Sequence, residues 1–524
     1  MKFPVAILCL LLCHSWFAAA DEPAWTKAAD TQALMSAEEA KAFMKTLAQH
    51  AVDHHMKKKE GAPQRGMMYE YVWWKKVGQP GQFVQGEALD TMHDGAWFLC
   101  AMAHAYRATG DPYYKEVIVK WQLPFYLKML NESAKLFSNE IIDVQPKMKE
   151  VWKESKEWLL QGREDGFVPY WWDDGESQSI EMHREKGGAP LYYPGTNQYA
   201  GKLNPECRLD GYSHGSSNHL AQDLGVMLVQ AWLTLKDSSD ASDKELLKQI
   251  ADAARHLEEC RTRHGQASIP AVLAAVALCT SDEAALKKLP AWDKDTGHPN
   301  KNHYFAAVRD FKPDAKAATP GFADDQEYIY YAGVVKHHGM TAPLAYQLTL
   351  DAFTHPLLFA LYSDDAPVPP GINRFDLYPY NFVNGKPDWL RSQRKGPNHG
   401  PVPLGSRFGP QNMLVCGWAL QAMQHLPEGA ALGGRVKDAI KGLPGADLHP
   451  DVKAWLEHEL GGGLRTWEAI FKQYGYIPTG IGCHSTLPGT PWDEFSDNGG
   501  YAHLISAAAQ WILYKEGKAD WEKW

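Results

Sequence analysis

The sequence has no clustered cysteines, no basic block, no long uninterrupted apolar run beyond its first residues, and no sustained alternation of apolar with polar positions. Each absence removes a class of protein. Two of the 8 cysteines, Cys9 and Cys13, fall in the leader, and Cys100, Cys207, Cys260, Cys279, Cys416 and Cys483 are far apart. With no CxxC pair and no Cys/His zinc spacing, a structural zinc module is excluded. Cys100, Cys279 and Cys416 sit in apolar helical stretches and read as small core residues. Cys207 and Cys483 lie in loops and leave room for one disulfide, with no pairing fixed. The net charge of −10 comes without any Lys/Arg cluster, which argues against nucleic acid as a partner. An anionic substrate still fits if basic residues gather locally in a cleft. No segment after the leader reaches membrane-spanning length, so no membrane insertion is expected. The lack of period-two runs disfavours a β-sandwich, although short strands fit within 364–407. Irregular helix spacing excludes a solenoid of short repeats.

The leader has the parts of a secretory signal: Lys2, an apolar run over 3–17, then Ala18-Ala19-Ala20 before Asp21. Leu11 and Leu12 precede Cys13, which is wrong for a lipoprotein box. The expected organisation is a signal peptide over 1–20 and a single domain over 21–524, exported to the outside or the periplasm. A chain of 524 residues with 45% hydrophobic content has enough material for a large core.

Six stretches share one design, a loop rich in Gly, aromatic, His and Asn residues followed by an apolar helix: 86–110, 208–236, 261–280, 330–350, 404–426 and 494–517. A helix apolar almost all round is buried. Six buried helices, each entered from a polar loop, predict a mainly α fold, an α/α toroid of about six to seven helical hairpins whose loops meet at one mouth. Outside these units, Ser36 with Glu39 three residues on predicts a capped helix over 36–58. A helical region begins at Pro112 and is interrupted by Pro124, and further helices are expected over 141–160 and 243–263. A loop-rich insertion near 165–207, dense in Gly, Pro, Tyr and Trp, is expected to be an ordered cover for the cleft.

The densest chemistry lies in 208–223, where Arg208, Asp210, Tyr212, His214, Asn218, His219 and Asp223 precede or open a buried helix. Histidine exchanges protons near neutral pH, and Gly211 and Gly215 permit close backbone approach. The competing reading is a helix-cap network in which Ser216 or Ser217 caps and Asp210 orients a histidine. An Asn-His pair opening a toroid helix, with Arg261 and Arg263 some forty residues later, resembles polysaccharide lyases of the alginate and glucuronan type. The resemblance covers 208–280 at motif level and implies that Asn218, His219 and an arginine neutralise a uronate carboxylate, while His and Tyr move protons. The family pattern places a Tyr shortly after its Arg, whereas this chain has His264. A catalytic Tyr must come from elsewhere, with Tyr330, Tyr331, Tyr304 and Tyr212 as candidates. β-Elimination suits these residue types, because carboxylate neutralisation stabilises the charge that develops as the neighbouring proton leaves. It implies an anionic polysaccharide as partner and no cofactor or metal.

Secondary candidates are Lys336 and His338 at a helix start, Arg407 and Asn412 before another, and Trp492 with Asp497, Asn498, Tyr501 and His503 at the last. The 20 Trp, among them Trp73, Trp74, Trp171 and Trp172, serve either as stacking platforms for sugar rings or as core. Two rival classes remain. A glycoside hydrolase needs two acids flanking the scissile bond, to be drawn from Glu87, Asp90, Asp94, Asp173, Asp174, Glu176, Asp493 and Glu494. A glycan-binding protein would have aromatic platforms without a proton-transfer set.

Overall fold

The computed structural model describes residues 32–62, 64–69, 71–74, 83–84, 91–136, 165–166, 168, 217–263, 270–282, 284–285, 319–320, 381–383, 386–388, 404–405, 408–425, 452–478, 480–481 and 495–520. Helix α1 (Ala37–His54) opens on the expected capping box. Ser36 accepts from the Glu39 amide, and the Glu39 carboxylate accepts from the Ser36 amide at 2.8 Å. The helix ends at His54 rather than near residue 58. Strands β1 (Tyr71–Trp74) and β2 (Phe83–Val84) precede α2 (Thr91–Thr109). Helix α3 (Pro112–Val117) passes through a π turn, Ile118–Gln122, into α4 (Leu123–Asn131) and the short α5 (Ser133–Leu136). Pro124 explains that turn. It has no N–H, and its ring crowds the carbonyl four residues back, so the ladder shifts and Leu123 N–H bonds to the Ile118 carbonyl.

Next come α6 (Ser217–Leu235), α7 (Ala241–Arg263) and α8 (Pro270–Thr280). Four short strands follow: β3 (Thr319–Pro320), β4 (Asn381–Val383), β5 (Lys386–Asp388) and β6 (Leu404–Gly405). The last three fall in the segment that leaves room for short strands. Helices α9 (Phe408–His425), α10 (Val452–Glu457) and α11 (Gly463–Tyr474) follow, the last two joined by a π turn, His458–Gly462. Strands β7 (Gly480–Ile481) and β8 (Phe495–Asp497) lead to the final helix, α12 (Asn498–Lys515). The strands form three small antiparallel sheets, ordered β2-β1-β8, β3-β4-β5 and β6-β7. The expected helix over 141–160 and the insertion near 165–207 lie outside the described residues, apart from 165–166 and 168.

Helices α8, α6, α2, α12 and α9 pack side by side in that order, and each belongs to one of the loop-then-helix units. They run parallel. Asn498 Nδ2 donates to the Asp94 carbonyl at 2.9 Å, and further along the same pair His104 Nδ1 meets Ser506 Oγ at 3.0 Å. Gly417 of α9 faces Gln510, and Gln424 Nε2 donates to the Tyr514 carbonyl at 3.0 Å. Gly225 of α6 touches the Ala271 backbone, where an added Cβ would lie 2.7 Å from a carbonyl carbon. Around the arc the chain order is cyclic, so the first inner helix lies beside the last. This is the ring of an α/α toroid. The unit at 330–350, expected between α8 and α9, lies outside the described residues.

Outer helices pack antiparallel on this ring. Helix α7 lies against α6 and α8. Helix α1 lies on α12, with His50 at Tyr501 and the Met35 carbonyl accepting from Trp511 Nε1 at 2.7 Å. Cys100, Cys260 and Cys416 are buried thiols and Cys279 is half-buried, in line with core roles for the three singled out in the sequence.

The chain end is latched into the ring. Arg107 Nε and Nη2 donate to the two Asp520 carboxylate oxygens at 2.7 and 3.2 Å, and Asp520 N donates to Gln421 Oε1 at 3.0 Å. Burial pushes the Asp520 carboxyl up, but Arg107 and His104 outweigh it and hold it below its ordinary value. Removing one partner of a buried pair strands the other charge, at a cost of about 3–5 kcal/mol. Asp520→Asn is therefore expected to lower the unfolding free energy by about that much in denaturant titration. Lys120→Ala, which removes an exposed pair with Glu116, should change it by less than about 1 kcal/mol. Equal effects from the two variants would refute the latch.

Candidate active site

Because the inner helices are parallel, their N-terminal ends share one rim. For α6, α2 and α12 the first turns bring Asn218 and His219, Asp94, and Asn498 to that rim as backbone positions, and in α9 Asn412 opens the second turn. Side-chain surroundings are described at Asp94 and Asn498, and both are completely buried. An acidic residue in a first turn complements the partial positive charge of the helix end. Asp497 does so as the α12 N-cap, its Oδ1 accepting from Gly499 N at 2.7 Å.

The β1–β8 ladder anchors this part of the rim, pairing Tyr71 with Asp497, Val72 with Ser496 and Trp73 with Phe495. Beneath it sits a buried polar node. His55 Nδ1 lies 2.9 Å from the Tyr69 carbonyl, which only accepts, so Nδ1 carries the proton. Its Nε2 is then the acceptor and Ser496 Oγ–H donates to it at 2.8 Å, while Ser496 Oγ accepts from Trp74 Nε1 at 3.0 Å. Trp74 stacks on Tyr476 at 4.6 Å. By the same logic Tyr501 Oη accepts from Ile477 N at 3.0 Å and donates to His50 Nδ1 at 2.8 Å. His50 stacks on Tyr501 and Trp74, with His54 one turn away. One helical turn below Asp94, the Trp97 ring meets His503 at 4.6 Å.

The residues named from sequence are distributed unevenly. Arg261 is completely buried in the last turn of α7, a helical position rather than a loop one, and Arg263 is exposed at the end of that helix. Helix α7 follows α6 after a short connection and packs on both α6 and α8. Trp73 is held in β1 by its pairing to Phe495 and Val84. Of the acids a hydrolase would draw on, Asp94 is described. Asp223 is also buried, about a turn deeper in α6. Arg208, Tyr212, His214, His264, Tyr330, Lys336, His338, Arg407, Trp171, Trp172 and Trp492 lie outside the described residues. The α1 histidines fall outside the sequence candidates; the signal for them is the one-turn spacing of His50 and His54.

No protein-family model matches the chain, and no curated protein matches it. Two solved structures of unsaturated glucuronyl hydrolase variants from Streptococcus agalactiae align with 93% of this chain and 95% of theirs at 10% identity. The first, complexed with dGlcA-GalNAc6S, gives a TM-score of 0.36 and the second 0.34. Likeness at that level carries no argument about this chain.

The histidine node has a consequence for stability. Burial pulls His50 and His55 from the ordinary 6.5 down to about 3, and His104 down to about 4. Below pH 6.5 the unfolded chain takes up protons that the folded chain refuses. Stability should therefore fall as pH drops from about 6.5 toward 4, by about 1.4 kcal/mol per pH unit for each such group. These groups add no slope above neutrality. Urea titrations at pH 7.0, 5.5 and 4.5 test this, and His104→Gln should flatten the decline; equal stability at pH 7.0 and 4.5 would contradict it.

Proposed function

We propose that this protein is an exported enzyme that degrades an anionic, uronic-acid-containing polysaccharide, cutting it by β-elimination. The observation that supports the reading is the shared rim: the parallel inner helices bring their polar entries to one end of the ring, with Asn218 and His219 in the first turn of α6. In this reading Asn218, His219 and Arg263 hold and neutralise the uronate carboxylate. Arg261, two positions earlier in α7, is assigned to substrate binding. A base drawn from His214, His264 or Tyr330 removes the C5 proton. The electron pair left behind forms the C4–C5 double bond, the C4–oxygen bond breaks, and an acid returns a proton to the departing oxygen. Arg208, Tyr212, Lys336, His338, Arg407 and Asn412 are assigned to substrate contacts, with Trp73, Trp171, Trp172 and Trp492 as stacking faces. Residues 1–20 direct export and are removed.

A second reading is a glycoside hydrolase. It is favoured by the burial of Asp94 and Asp223 near the rim ends of two adjacent inner helices, since paired acids are what hydrolysis needs. One assay separates the two. Incubation with alginate, glucuronan, ulvan and glycosaminoglycans should yield product absorbing in the ultraviolet from the new double bond, and His219→Ala should lower kcat/KM at least about a hundredfold. Reducing ends without that absorbance would replace the lyase with the hydrolase. Full activity in His219→Ala would remove the proposed site.

A further inference from the structure

Asn498 is completely buried in the first turn of α12, yet only half of its carboxamide is used. Its Nδ2 donates to the Asp94 carbonyl at 2.9 Å, which fixes the amide orientation, because a carbonyl cannot pair with Oδ1. The Oδ1 on the opposite edge has no hydrogen-bond partner. Buried amide oxygens are rarely left so, and each exception asks for an explanation. Helix geometry tilts a first-turn side chain toward the N-terminal end, which here is the rim. The neighbouring Gly499 and Gly500 carry no side chains, so nothing on α12 itself fills the space beside the Asn498 amide at that level. One turn deeper, Trp97 and His503 close the seam with their rings 4.6 Å apart.

We propose that the rim end of the α2–α12 seam is a sugar subsite in which Asn498 Oδ1 accepts a hydrogen bond from a ring hydroxyl of the glycan. The inference rests on the glycan reading above and adds a residue and a specificity to it. Asn498 follows Asp497 in the chain and is bonded to the Asp94 backbone, so two carboxyl-bearing residues adjoin it and disfavour a carboxylate ligand, while a hydroxyl brings the proton that Oδ1 lacks. The subsite therefore takes an uncharged edge of the polymer, and the uronate carboxylate belongs at the other side of the mouth, at α6 and the end of α7. A hydroxyl acceptor discriminates well, because a ligand lacking that hydroxyl leaves the buried oxygen unpaired.

The test is titration calorimetry of the full chain with defined uronate tetrasaccharides, alongside thermal melts with and without ligand. Asn498→Leu and Asn498→Ala should each weaken Kd about tenfold and shrink the ligand-induced rise in Tm. Both variants also lose the Nδ2 bond to the Asp94 carbonyl, so each should lower the ligand-free Tm, and the change in Kd carries the test. A lowered ligand-free Tm with unchanged Kd in both variants would reduce Asn498 to a structural tie and overturn the subsite. Wild-type protein that binds no tetrasaccharide would instead remove the glycan reading, and the subsite with it.

Discussion

The structure depends on the complete burial of one helix. Every residue of α12 from Asn498 to Tyr514 is buried, because α2 and α9 flank it in the ring and α1 covers it from outside. Burial on all sides stabilises through apolar contact, at roughly 25 cal/mol per Å² removed from water, but it obliges each polar group to find a partner inside the protein. The helix meets that demand unevenly. Ser506 is bonded to His104, Gln510 to Gln421 and Asp520, and Tyr501 to Ile477 and His50. These bonds reach into three different neighbours, so none can be given up without opening a seam. Glycine supplies the close approaches: a Cβ at Gly417 would lie 2.5 Å from Gln510, and one at Gly461 2.7 Å from Trp511.

The same helix ties stability to the mouth. Its N-cap Asp497 is the last residue of β8, and the preceding Ser496 is the hydroxyl shared by His55 and Trp74. In the neutral ring Nε2 accepts the Ser496 hydroxyl proton. Protonation would turn that acceptor into a donor and send the hydroxyl proton toward the Val72 carbonyl, 3.5 Å away. Burial keeps the ring neutral, and the ring in turn holds the strand that sets the rim. Ring architecture and mouth geometry therefore rest on one set of buried hydrogen bonds.

Much of the architecture was legible because period and composition report burial directly. The apolar runs in five of the six loop-then-helix units are the five described inner helices, and the Ser36–Glu39 box starts α1 as its spacing predicts. Local rules also found the break at Pro124. What local pattern does not carry is the destination of a charged or polar side chain. Arg261 and Arg263 look alike in sequence, but two positions along a helix is a rotation of about 200°, enough to bury one and expose the other. Asp520 reads as a polar tail residue, and only the fold brings it to Arg107, 413 positions away. The node at His55 needs Tyr69, Trp74 and Ser496, whose proximity is a property of the β1–β8 pairing.

The site inherits this long-range character. Asp94 and Asn498 are 404 positions apart, and they meet because the ring places its first inner helix beside its last. Local hairpins such as α6–α7 need only a five-residue connection, so their helices pair at little entropic cost. The α2–α12 seam must be held against the freedom of nearly the whole chain, a cost that grows slowly with loop length and falls on the first contacts that join the two helices. The seam answers with bonds along its full depth, from Asn498 at the rim, through His104 and Ser506, to Arg107 and Asp520 at the far end. A rim assembled on such a seam keeps its geometry only while the far end stays closed, so the carboxyl-terminal latch and the mouth belong to one mechanical unit despite lying at opposite ends of the ring.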